Sequence, residues 1–157
     1  MVLILIINQK TLIENYQILN ESRPHCQHAA VLKANAYGLG IENVAPALVK
    51  AGCRLFFVAT LSEGIDLRNL LPDIEIVVLH GCQAEQTPLF LQHKLIPMLI
   101  TREQVVNWPH QRACALKLNT GMNRLGLDEA DLALLTKEQV LQKLNLQYQH
   151  RLHLEIH

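Results

Sequence analysis

Residues 29–40 read AAVLKANAYGLG and place one lysine, Lys33, directly after an apolar run. Ala30, Val31 and Leu32 fit a short buried parallel strand that delivers Lys33 at its carboxyl end. In α/β proteins the carboxyl ends of strands are where chemistry sits. A lysine walled by apolar neighbours is partly desolvated and loses its charge more readily. Its neutral amine can then form a Schiff base with a carbonyl compound. The plainer reading is a strand-end lysine that reaches into water. Four residues on stands Tyr37, and Gly38 and Gly40 allow a turn or a close approach to a ligand.

A second string, residues 117–126, reads KLNTGMNRLG. Its arginine, Arg124, follows a strand-like run, and a guanidinium in a βα loop can clamp a carboxylate at two points. The alternative is a surface arginine on a turn. Asp128, Glu129 and Asp131 crowd what looks like the first turn of a helix, which favours capping over catalysis. His150, His153 and His157 share i, i+3, i+7 spacing, but no helix signal surrounds them and no metal site is expected.

AVLKANAYGLG resembles the cofactor-lysine signature of the alanine racemases, usually AVVKANAYGHG, and KLNTGMNRLG is similar to a second signature of the same family. The likeness runs from about residue 3 to about residue 148. It implies a fold-type III pyridoxal-phosphate enzyme, an amino-acid racemase (isomerase) that interconverts L-alanine and D-alanine for peptidoglycan. By this resemblance Lys33 bonds the cofactor and acts as the base for the D-enantiomer. Tyr37 hydrogen-bonds near the cofactor phosphate. Arg124 and the backbone amide of Met122 serve the substrate carboxylate side. Lys117 matches a lysine that can be carbamylated and that orients the arginine. Asn119 stands where Asp is also common, and Leu39 replaces the usual His.

The family fold is a (β/α)8 barrel followed by a C-terminal β domain. A complete barrel needs about 250 residues, and the chain has 157. The expected fold is therefore α/β, a partial TIM-type barrel of parallel strands alternating with helices. Residues 1–157 form its N-terminal part, with 1–8 a strand normally paired with the missing C-terminal domain and 149–157 a divergent tail. The family's second base is a tyrosine from the C-terminal domain of the partner subunit in a homodimer. Its segment is absent, so this chain alone is expected to be a weak or inactive racemase. The alternatives are a non-catalytic pyridoxal-phosphate-binding protein and the relic of a truncated or frameshifted gene.

Composition agrees with a soluble globular protein. Half the residues are hydrophobic, 18% are charged and the net charge is zero. That balance speaks against nucleic-acid or anionic-membrane partners and predicts limited solubility. Cys26, Cys53, Cys82 and Cys114 are widely spaced with no CxxC pair, as in reduced cytoplasmic proteins. MVLILII has no basic flank or cleavage site, so no signal peptide is read there.

The elements needed to position these residues alternate regularly. Strands are expected over residues 2–7, 30–32, 54–59, 74–79, 95–100 and 113–118, with Pro97 weakening the fifth. Helices are expected over 10–22, with Leu12, Ile13, Tyr16 and Leu19 on one face, and over 41–51, with Gly52 as C-cap. Thr60 and Glu63 have capping-box spacing for a helix ending before Pro72, and Thr101 and Gln104 repeat it. Thr87-Pro88 suits an N-cap and first helical residue, and 128–144 reads as helix broken at Thr136. No linker or low-complexity run interrupts the rhythm.

Overall fold

Leu55–Val58 is an uninterrupted apolar run, and all four of its residues are buried. Such a run suits a parallel strand covered on both faces. In the computed structural model, which describes residues 4–146, it is β2, in the first of two compact units. The first unit extends to Val78 and takes in His93–Leu95; the second holds Leu79–Gln92 and the chain from Ile96 onward.

In the first unit, α1 (Gln9–Ser22) precedes β1 (Ala30–Val31), a single turn α2 (Lys33–Tyr37), α3 (Ile41–Lys50), β2, α4 (Leu61–Leu70) and β3 (Glu75–Val78). β1 pairs with β2 and β2 with β3, both parallel, with Val31 opposite Phe57 and Phe57 opposite Val77. The α3 stripe buries Val44, Ala45 and Leu48. Its end is a Schellman motif: Gly52 N–H donates to Val49 and Cys53 N–H to Leu48, with Gly52 at φ +98°. The Thr60–Glu63 capping box forms at the start of α4. Further along that helix, the Arg68 guanidinium donates to the carbonyls of His93, Pro72, Ile74 and Lys94 at 2.7–3.0 Å. Those carbonyls belong to two turns, 71–74 and 93–95, so one side chain ties two segments of the first unit.

The second unit contains a 3-10 turn (Ala84–Gln86), α5 (Thr87–Gln92), β4 (Ile96–Leu99), α6 (Arg102–Asn107), β5 (Ala113–Leu116), α7 (Glu129–Lys137), a second 3-10 turn (Leu141–Lys143) and β6 (Asn145–Leu146). β4 pairs with β5 and β5 with β6, again parallel. Phe90 and Trp108 meet edge to face with centroids 6.1 Å apart, and Leu99, Cys114, Leu127 and Leu135 are buried in the same unit.

Several expectations are corrected. Residues 4–7 form no strand, and Ile4 and Ile6 are 77% and 86% exposed. Apolar content makes a strand only where an edge is available to pair with; Val2 and Leu3 lie outside the described residues. Leu19 is exposed, and Tyr16 alone on α1 is buried. Thr87 is already helical, because the preceding 3-10 turn continues into α5 and Gln83 supplies the cap. β4 forms fully buried despite Pro97, whose ring precedes the residues that pair with β5, Met98 and Leu99. The last helix breaks at Gln139, at φ +56°, not at Thr136, whose hydroxyl donates to Leu132 within the helix.

All four cysteines are free; Cys53, Cys82 and Cys114 are buried and Cys26 is exposed. Burial raises the Cys53 and Cys82 thiols and pushes Cys114 to about 12. One thiol per chain should therefore react with a disulfide reagent at neutral pH, and the other three only on unfolding. A raised thiol stabilises the fold fully below its unfolded value of about 8.5, and that contribution is lost as the pH rises toward about 12. Alkaline titration of Tm should show a decline over that window, and a Cys114→Ser variant should flatten it.

Candidate active site

Leu32 N–H donates to Phe57 at 2.8 Å, extending the β1–β2 pairing by one residue. Lys33 follows at the carboxyl end of β1, as the sequence predicts. The backbone then enters the left-handed region for four successive non-glycine residues: Ala34, Asn35, Ala36 and Tyr37 have φ of 52° to 55°. Each such residue costs about 1–2 kcal/mol, so the turn persists only because its surroundings hold it. Asn35 Oδ1 accepts from Ile41 N–H at 2.8 Å, and Gly40 N–H donates to the Asn35 carbonyl at 3.0 Å. Ala34 N–H donates to Glu63 Oε1 at 2.8 Å. Gly38 and Gly40, both at φ +86°, release the chain from the turn.

Lys33 is half-buried, and its Nζ lies 5.7 Å from the centroid of the Tyr37 ring. No ion-pair partner accompanies the amine among the described residues. Tyr37 is 55% exposed. The left-handed turn carries its ring outward beside the lysine, and Leu39 is exposed next to it.

The second predicted cluster is one loop of the second unit. Lys117 N–H donates to Leu99, so the strand pairing runs past β5. The loop returns through Leu127, which donates to the Lys117 carbonyl at 2.8 Å and accepts from Asn119 N–H at 2.9 Å. Asn119 organises what lies between. Its Oδ1 accepts from Gly121 and Asn123 N–H, and its Nδ2 donates to Asn123 Oδ1 at 2.9 Å. An aspartate could accept the first two bonds but not make the third. Met122, 79% exposed, and Arg124 stand on the outside of this loop, and no carboxylate or carbonyl among the described residues engages the Arg124 guanidinium. The side chain of Lys117 is half-buried.

Asp128 caps α7 through Asp131 N–H at 2.8 Å, so the acidic cluster serves the helix. His150, His153 and His157 lie outside the described residues; among those described, no group of histidine, cysteine or acidic residues could hold a metal. Sequence reasoning recognised Glu63 only as a helix cap. Its bond to Ala34 follows from the parallel pairing of β1 with β2, which sets their carboxyl ends side by side.

Comparison with known proteins accords with this geometry. Residues 7–151 match the family described as alanine racemase, N-terminal domain. Alanine racemase 3 of Salmonella typhi is 40% identical over 138 residues, 83% of this chain and 38% of that protein. The alanine racemase of Rhizobium meliloti is 42% identical over 137 residues, 83% of this chain and 36% of its own length. The crystal structure of alanine racemase from Bartonella henselae, with covalently bound pyridoxal phosphate, superposes with a TM-score of 0.83 at 33% identity, covering 90% of this chain and 42% of that one. The chain thus spans about two-fifths of the length of these relatives. Its parallel strands alternating with helices are α/β structure of the partial TIM-barrel type. A match over residues 7–151 places the chain in the alanine racemase family, in the part that forms the N-terminal domain.

Proposed function

We propose that this chain is the lysine-bearing part of a pyridoxal-phosphate-dependent alanine racemase, an isomerase that supplies D-alanine for peptidoglycan. One observation carries the reading: the Lys33 amine stands at the carboxyl end of β1, without an ion-pair partner among the described residues, beside the exposed Tyr37 ring. An aldehyde cofactor needs such an amine, accessible and uncommitted, so the residues present fit the group. When bound, pyridoxal phosphate delocalises the electron pair left at the substrate α-carbon.

The protein's own groups then have separate tasks. Lys33 Nζ would hold the cofactor and would take or return the substrate α-proton on one face. The Tyr37 hydroxyl donates toward the phosphate. Arg124 and the Met122 N–H serve the substrate carboxylate, and Lys117, in carbamylated form, orients Arg124. Asn119 holds the loop that carries both. In this reading the assembly is a homodimer in the cytoplasm, which suits four free cysteines. Among the described residues no helix is long and apolar enough to cross a membrane.

Because the chain spans about two-fifths of its relatives' length, these 157 residues alone should bind the cofactor yet turn over alanine weakly or not at all. Polarimetry, or D-alanine detection with a coupled D-amino-acid oxidase, measures this on cofactor-loaded protein. Cofactor binding at Lys33 with negligible interconversion is the expected result. Robust turnover that depends on Lys33 would defeat the expectation of inactivity, and absence of cofactor binding would defeat the whole reading.

A further inference from the structure

Glu63 makes more bonds than a helix cap needs. A capping box uses one carboxylate oxygen on the N-cap amide. Here Oε2 accepts from Ala59 N–H at 2.7 Å and Thr60 N–H at 3.2 Å. That leaves Oε1 for a different element, and it accepts from Ala34 N–H at 2.8 Å. Ala34 is the residue directly after Lys33 and the first of the four left-handed residues. Its N–H has no other acceptor among the described residues, because the turn's own backbone bonds begin with Ala36 N–H to Leu32.

We propose that Glu63 is a positioning residue for Lys33: its carboxylate bolts the peptide after the lysine to the junction of β2 and α4, and so fixes the direction in which the amine leaves the strand. The inference rests on the reading of Lys33 as the cofactor-bonding amine. Glu63 touches neither substrate nor cofactor in this account and acts only through the backbone. Its bonds are charge-assisted, which makes them stronger than the neutral bonds elsewhere in the turn. The strained turn would otherwise relax, since Ala and Tyr gain nothing from positive φ.

The test separates this role from capping. Glu63→Gln keeps one carbonyl oxygen but turns an amide NH2 toward a backbone N–H, so it cannot serve Ala34 and Ala59 together. Thr60→Ala removes the opposite half of the same box, the 3.3 Å bond from Glu63 N–H to Thr60 Oγ1, and leaves the Ala34 link in place. Three readouts are taken on each folded protein. They are amide hydrogen exchange at Ala34, acetylation of Lys33 by acetic anhydride relative to the other lysines, and the pyridoxal phosphate concentration giving half-maximal borohydride-fixed label at Lys33. Glu63→Gln should speed Ala34 exchange and raise the half-maximal concentration, each by about tenfold, and should alter Lys33 acetylation. Thr60→Ala should leave all three near wild type.

Unchanged readouts in Glu63→Gln would overturn the proposal, and so would equal changes in both variants, which would reduce Glu63 to a cap. If wild-type protein took no cofactor label, the functional reading would fail, while exchange and acetylation would still decide the role of Glu63. Should Glu63→Gln not fold, Glu63→Asp gives the same comparison, because the shorter side chain keeps its charge near the cap and cannot span to Ala34.

Discussion

Replacing Lys33 with alanine reduces borohydride-fixed pyridoxal phosphate to the background of surface lysines, with the fold retained. On the proposed reading one amine provides the covalent bond, so the loss should be complete. The fold survives because Lys33 is half-buried at the end of a strand and donates no side-chain hydrogen bond among the described residues. What disappears is its contact with the Tyr37 ring, worth about 0.5–1 kcal/mol at such an exposed site. Circular dichroism and thermal unfolding measure the second half of the prediction. A large fall in Tm would mean that Lys33 serves the fold rather than a ligand.

The second large effect belongs to Gly126. It sits at φ +118°, and a Cβ there would lie 2.9 Å from Asn119 N and from Lys117 O and 3.0 Å from Leu118 C. All three are backbone atoms held by the Leu127 bonds, so none can swing aside. Gly126→Ala should cost about 3 kcal/mol and lower Tm by roughly 10 °C. Gly121 provides the control. Its φ of +121° is nearly the same, but a Cβ there meets nothing within 4 Å. Gly121→Ala should cost only about 1 kcal/mol, the conformational part alone. Denaturant unfolding of the two variants isolates the steric part. Equal costs would show that crowding under the Arg124 loop is not what requires glycine at 126.

The alternation of strands and helices was legible because its signals are local. The run Leu55–Val58 and the Thr60–Glu63 and Thr101–Gln104 spacings each specify an element within a few residues, and each is realised. Lys33 was legible for the same reason, since the apolar run before it and the glycines after it announce a strand end. Features that depend on distant partners were not. Residues 4–7 look like a strand, but pairing is decided by an edge elsewhere in space. The left-handed path from Ala34 to Tyr37 runs against the preferences of its own residues, so only tertiary hydrogen bonds reveal it. The exposure of Tyr37 follows from that same turn, which carries its ring outward. The loop from Lys117 to Gly126 was recognisable as a motif. The role of Asn119 was not, because its three bonds exist only once the loop has closed.

The most direct measurement is chemical. Wild-type protein, folded and incubated with pyridoxal phosphate, is reduced with borohydride, digested and mapped by mass spectrometry. The account predicts one dominant pyridoxyl group, on the peptide containing Lys33. Label spread evenly over exposed lysines, or concentrated on Lys117 with Lys33 bare, would contradict it.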